Sequence, residues 1–133
     1  MKPISARRTK GITIGTVLNC ADNTGAKKLE VIAVKGYKGV ARRYPSAGIG
    51  DVVMCSVKKG TEKLRKKVVY VVIVRQKKEY RRKDGVRIKF EDNAAVLVNP
   101  KTLEPQGTEI RSAIAKEVVE RFSPIGKIAG IVV

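Results

Sequence analysis

The chain has 133 residues, with 29 Lys and Arg against 12 Asp and Glu, no histidine and a formal net charge of +17. That length suits one domain, residues 1–133, large enough to need no metal or disulfide staple, and a hydrophobic content of 43% argues against global disorder. Without imidazole there is no Ser-His-Asp or Cys-His machinery, while so high a charge calls for a polyanion, nucleic acid first and an anionic membrane surface second.

Residues 1–10 are basic through Arg7, Arg8 and Lys10, and no apolar run follows them, so they do not read as a signal peptide. Residues 12–18 alternate and predict a strand ending at Asn19. Asp22-Asn23-Thr24-Gly25 predicts a tight turn with Asx chemistry and a glycine at positive φ, followed by a second strand over 29–35. The loop 36–50 carries Tyr37, Lys38, Arg42, Arg43 and Tyr44. A third strand over 51–57 is entered through Gly48 and Gly50, and Lys58, Lys59, Lys63, Arg65, Lys66 and Lys67 surround Gly60. The β-branched run 68–74 predicts a strand buried on both faces or one that closes a small barrel.

Lys77, Lys78, Arg81, Arg82 and Lys83 lead into Asp84-Gly85, a favoured two-residue hairpin loop. Pairing outward from it sets Lys83 against Val86, Arg82 against Arg87, Arg81 against Ile88 and Ile73 against Val96. Facing arginines repel. Either phosphates tolerate that pairing or a bulge shifts the register. Val86, Ile88 and Phe90 alternate with Arg87 and Lys89, and residues 94–98 complete that strand. Beyond Asn99-Pro100 and Glu104-Pro105, Ile110, Ala113, Ile114, Val118 and Phe122 recur at helical spacing, with Lys116, Glu117, Glu120 and Arg121 opposite. Ser112 is the expected N-cap, and a second helix is expected from a Ser123 cap with Pro124 at its first position. Short strands and frequent turns predict a mainly β sandwich or barrel.

Charge divides the chain. Residues 1–90 carry 24 basic and 6 acidic side chains, a net of +18, and residues 91–133 carry 5 and 6. The first part reads as a surface for phosphates, the second as one that packs on the protein or meets another protein. Tyr37, Tyr44 and Tyr80 lie among cations, where they either stack on unpaired bases or pack on loop stems; Tyr70, Phe90 and Phe122 read as core. Cys20 and Cys55 have no Cys-x-x-Cys spacing and read as two buried reduced thiols, which points to the cytosol. No phosphate-cradling glycine motif is complete, and Glu91-Asp92 has no base or metal partner nearby. No enzyme, cofactor or metal site is expected. A free-standing nucleic-acid chaperone or regulator and a cationic membrane-active protein are the rival readings; the latter needs a basic amphipathic helix, whereas the helical stretch is close to neutral.

Asp22-Asn23-Thr24-Gly25-Ala26-Lys27 resembles a signature of the universal large-subunit ribosomal protein fourteen family. So do Asp84-Gly85 with Phe90, Asn93 and Val96-Leu97 at family spacings, Arg42-Arg43-Tyr44, Ala47-Gly48-Ile49-Gly50-Asp51 and Gly107-Thr108-Glu109-Ile110, from about Gly11 to the C-terminus. Arg75-Gln76-Lys77-Lys78 and Tyr80-Arg81-Arg82-Lys83 resemble the archaeal and eukaryotic branch. The resemblance implies a closed five-stranded barrel with a protruding hairpin over 11–98 and short C-terminal helices in a region over 108–133; residues 1–10 lie outside the family's common core, and Arg7, Arg8 and Lys10 suggest a basic arm there that orders on RNA. It implies a cytoplasmic protein in the ribosome that binds large-subunit ribosomal RNA, touches neighbouring large-subunit proteins and bridges to small-subunit RNA. RNA contact is expected at Arg7, Arg8, Lys10, Lys27, Lys38, Arg42, Arg43, Tyr44, Lys58, Lys59, Lys66, Lys67, Lys77, Lys78, Tyr80, Arg81, Arg82 and Lys83. Thr108, Glu109, Arg111, Lys116 and Glu120 are expected to meet protein neighbours or factors that block subunit joining. Ser112-Ala113 stands where the family often has Gly-Pro, and Glu109 where bacterial members often have Arg, so bacterial partner contacts do not transfer there.

Overall fold

The structure, a computed structural model, describes residues 2–133. In chain order its elements are β1 (Ala6–Arg7), β2 (Ile12–Thr13), β3 (Val17–Cys20), β4 (Ala26–Val34), β5 (Ser46–Ala47), β6 (Val52–Gly60), β7 (Val68–Arg75), β8 (Tyr80–Arg82), β9 (Arg87–Ile88), β10 (Ala94–Val98), β11 (Ile110–Ile114), α1 (Lys116–Arg121), α2 (Ser123–Ile128) and β12 (Ala129–Val132). Five of them close a barrel in the order β10-β3-β4-β6-β7. The stretch expected as one strand over 12–18 is two, because Gly15 at φ 88° turns the chain between β2 and β3. The expected continuous strand from Val86 to Val98 is also two, β9 and β10, separated by residues 89–93.

Parity along β7 and β10 divides the core. Val71, Ile73, Ala95 and Leu97 face the barrel interior with Leu18, Leu29, Val31, Val53, Cys55 and Val57. Val72, Val74, Ala94, Val96 and Val98 face outward, under Ile110, Ile114, Val118, Phe122 and Ile125. β7 closes the barrel, and from Val71 to Val74 it is also buried on both faces, whereas Val68 at its start is exposed. Each of these large side chains, fully withdrawn from water, contributes about 1.5–3 kcal/mol, and the outer layer fixes the C-terminal third to the barrel wall.

That third carries the two short helices expected, α1 and α2, but the helical spacing read from Ile110 onward begins in a strand. Ile110–Ile114 is strand β11, paired parallel with β12 through Ile110↔Ala129 and Ala113↔Ile131. Ile110 and Ile114 are four residues apart, a spacing that serves one face of a helix and one face of a strand alike. Ser112 lies inside β11, and α1 instead follows Ala115, which makes no side-chain cap. Phe122 occupies the N-cap position of α2, with Ser123 and Pro124 in its first turn.

The arm from Lys77 to Lys89 leaves the barrel where β7 ends. Arg82 N donates to Val86 O and Gly85 N to Arg82 O, at 2.9 Å each, which leaves Lys83, Asp84 and Gly85 as a three-residue loop with Gly85 at φ 90°. That is one residue longer than the expected turn. The register therefore shifts to Tyr80↔Ile88 and Arg81↔Arg87, and in the barrel Val96 faces Val72 rather than Ile73. Residues 2–10, expected to order on RNA, are held on the protein. β1 adds to β8 through Ala6↔Arg82 and Arg7↔Arg81, Lys2 N donates to Arg121 O at 3.3 Å, and Gln76 Nε2 donates to Thr9 O at 2.8 Å.

Candidate nucleic-acid interface

The long antiparallel ladder of β4 and β6 sets where the basic loops stand. Val34 pairs with Val53 at one end and Ala26 with Gly60 at the other, roughly 23 Å apart along β6 at about 3.3 Å per residue. The loop bearing Lys38, Arg42, Arg43 and Tyr44 leaves the first end. The turn bearing Lys66 and Lys67 closes the second, and there Lys28 stands across from Lys59. Arg42 at φ 68° and Lys66 at φ 65° sit in the left-handed region, a conformation costly for a side-chain-bearing residue.

Lys10, Lys27, Lys38, Arg42, Arg43, Lys58, Lys59, Lys66, Lys67, Lys77, Lys78, Arg81, Lys83 and Arg7 are exposed. Lys58 stands 3.5 Å from Glu30 and Lys78 3.4 Å from Glu79; among the described residues the other cations of this group have no carboxylate within ion-pair reach. Tyr44 is 84% exposed beside Arg42 and Arg43, open to stacking. Tyr37 follows the alternative reading: its hydroxyl donates to Arg43 O at 3.1 Å, bracing the loop stem.

Three expected positions turn inward. Tyr80 is fully buried, so its ring is not available to a base. Its hydroxyl donates to Glu117 Oε2 at 2.8 Å, and burial, reinforced by that carboxylate, pushes the phenol's pKa well up. Arg82 donates from Nε to Glu117 Oε1 at 2.8 Å and from Nη2 to the Val133 carbonyl at 2.6 Å. Glu117 itself, expected on the solvent face of a helix, is only 1% exposed. Arg8 grips the barrel rim, donating to Asp51 Oδ1 at 2.6 Å and Ile49 O at 2.9 Å. The hairpin is thus tied to α1 by a buried charge pair, and the N-terminal arm to the barrel by a second ion pair.

The turn at Asp22-Asn23-Thr24-Gly25 is a structural joint. Asp22 Oδ1 accepts from Thr24 N and Oγ1 and from the Cys20 thiol, and Oδ2 accepts from Leu97 N. Asn23 receives Thr108 N at 2.9 Å and donates to Thr108 Oγ1 at 2.8 Å. A Cβ on Gly107 would come within 2.9 Å of Asn23 Oδ1. Lys27, just past this turn as the second residue of β4, is exposed.

On the C-terminal flank, Thr108, Glu109, Arg111, Lys116 and Glu120 are exposed. Arg111 lies 3.4 Å from Glu109, and Glu120 accepts from the Ser5 hydroxyl at 3.2 Å. Arg87 was not among the expected contacts. It is exposed and lies directly across from Arg81; only the shifted register brings it there. Among the described residues no group of His, Cys, Asp and Glu could hold a metal ion, and no helix is long and apolar enough to cross a membrane.

Residues 11–133 match the family model described as ribosomal protein L14p/L23e. The large ribosomal subunit protein uL14 of Thermoplasma acidophilum is 53% identical over 133 residues, all of both chains. That of Methanococcus vannielii is 52% identical over 132 residues, 99% of each. That of Methanothrix thermoacetophila is 53% identical over the full length of both.

Proposed function

Because this chain belongs to the ribosomal protein L14p/L23e family, structural constituents of the large ribosomal subunit and not enzymes, we propose that its exposed basic loops bind large-subunit ribosomal RNA and hold it by charge and shape. The observation that carries this is the unpaired cation set at both ends of the β4–β6 ladder, Lys38, Arg42 and Arg43 at one and Lys59, Lys66 and Lys67 at the other. Lysine and arginine so placed release counterions when they meet phosphates, and a closed barrel holds the two groups at a fixed separation. Lys10, Lys27, Lys77, Lys78 and Lys83 extend the same surface. Tyr44 adds a stacking face for an unpaired base.

The hairpin arm extends toward small-subunit RNA and forms part of a bridge between subunits. Its pose is supported by the Tyr80–Glu117–Arg82 contacts. The near-neutral flank of Thr108, Glu109, Arg111, Lys116 and Glu120 meets neighbouring ribosomal proteins or anti-association factors, its low charge suiting protein better than phosphate. No membrane partner is assigned.

Sedimentation of the tagged protein in cell extract tests the reading. Cosedimentation with large subunits through a high-salt wash is expected. Release into light fractions at modest salt would overturn it in favour of a general RNA binder.

A further inference from the structure

The three-stranded sheet β1-β8-β9 places one arginine from each strand in a single rung: Arg7 pairs with Arg81, and Arg81 with Arg87. All three are exposed. Parity puts them on one face, because Ala6, Tyr80, Arg82 and Ile88 take the other: Tyr80 is in the buried core, Ala6 and Ile88 pack against it, and Arg82 reaches Glu117. Like charges directly opposite on a ladder are destabilising. Among the described residues no carboxylate lies within ion-pair reach of any member of the rung, although Glu79 stands near enough to feel the Arg87 charge. Glu79, which approaches from the same side, is 3.4 Å from Lys78, and Asp84 accepts from Val86 N within the turn. Strands about 4.8 Å apart spread the rung over about 10 Å. An open groove of about 560 Å³ lined by Ser5, Ala6, Arg7, Arg81, Arg82 and Lys83 adjoins it.

We infer that Arg7, Arg81 and Arg87 together form a seat for consecutive phosphates of one RNA strand, a seat completed only when the N-terminal arm joins the hairpin. This rests on the RNA-binding reading above and names a particular site within it. Arg7 lies outside the family-matched residues 11–133, so the arm contributes a third of the seat. Phosphates convert the repulsion within the rung into attraction. Planar guanidiniums suit the task, since each can engage a phosphate with two parallel N–H donors.

The test measures binding of the full chain to transcribed large-subunit ribosomal RNA across a salt series, alongside thermal melts of the free protein. Arg7→Gln, Arg81→Gln and Arg87→Gln are compared singly and together, with Lys101→Gln as a control outside the seat. Each single change is expected to lower the slope of log K against log salt by about 0.7, and the triple change by about 2. Arg81→Gln is expected to melt at or above the wild-type temperature, since it removes two like-charge contacts. A triple variant that keeps the slope of a wild type binding RNA salt-dependently would overturn the seat and leave the RNA-binding reading intact. A wild type without salt-dependent binding would overturn both. A melting temperature for Arg81→Gln well below that of Lys101→Gln would mark the rung as a fold-holding element and overturn the assignment.

Discussion

Replacing Glu117 by alanine removes the one carboxylate that holds the hairpin arm to α1. Glu117 Oε2 accepts the Tyr80 hydroxyl at 2.8 Å and Oε1 accepts Arg82 Nε at 2.8 Å. Its side chain is 2% exposed and that of Arg82 12%. Without it, the Arg82 guanidinium keeps the Val133 carbonyl but loses its counter-charge, and the buried Tyr80 hydroxyl loses its acceptor. Breaking a buried pair by truncating one partner costs about 3–5 kcal/mol, and at this chain length about 3–5 °C in melting temperature accompanies each kcal/mol. Glu117→Ala is therefore expected to melt roughly 10–20 °C lower. Exchanging both partners for apolar residues, Glu117→Leu with Arg82→Met, leaves no orphan charge but still an unpaired Tyr80 hydroxyl, and is expected to recover part of that loss. Urea denaturation of the three proteins supplies the free energies. A cost below about 1 kcal/mol for Glu117→Ala, or a double variant no more stable than Glu117→Ala, would refute the view that this pair is buried and mutually dependent.

Asp92 accepts from Asn19 Nδ2 and Arg75 Nη2 at 3.0 Å each; burial pushes its pKa up, but those bonds and the Arg75 charge outweigh it and hold the carboxyl below its ordinary value. A depressed carboxylate stabilises the fold above its unfolded pKa of about 3.9, and that contribution is lost as pH falls through the folded value. The stability gap between wild type and Asp92→Asn is thus expected to shrink on acidification below about pH 4; a gap that stays constant to pH 2 would contradict the pairing. Burial in the barrel interior pushes the Cys55 thiol up to about 12, and burial followed by the Asp22 carboxylate pushes Cys20 up to about 12. Both are expected to react far more slowly with a thiol reagent at pH 8 in the native protein than in urea, and fast labelling of the native protein would refute their placement. Tyr44→Ala is expected to leave the melting temperature unchanged while weakening binding to large-subunit RNA by roughly 5- to 150-fold, the loss of one stacked base. Unchanged affinity would remove Tyr44 from the interface.

Much of the fold is legible because it depends on local chemistry. The β-branched run at 68–74 reads as a strand, and parity assigns Val71 and Ile73 to the barrel and Val72 and Val74 to the outer layer once the barrel is closed. Glycines expected at turns take positive φ, as at Gly25 and Gly85, whereas the break at Gly15 lies hidden inside an alternating run that reads as one strand. The C-terminal third misleads because Ile110 and Ile114 fit two periodicities, and the choice between them falls to β12, a strand-pairing partner nearly twenty residues on. In the candidate interface, exposed lysines such as Lys38 and Lys66 follow from composition. Tyr80 and Arg82 do not, since their neighbours in sequence are all charged.

The sequence by itself determines the excess of positive charge, its confinement to the first 90 residues, the absence of imidazole chemistry and the supply of short β-branched strands. These are sums and local patterns, and no fold can change them. Tertiary structure alone decides which of the hairpin's arginines meet solvent. A side-chain period of two means that a one-residue shift carries every side chain to the opposite face. The three-residue loop at Lys83-Asp84-Gly85 sets that shift, placing Arg81 outward beside Arg7 and Arg87, and Arg82 inward on Glu117. A carboxylate 35 residues away and an arm from the other end of the chain hold that choice, and neither is visible in the residues around the hairpin.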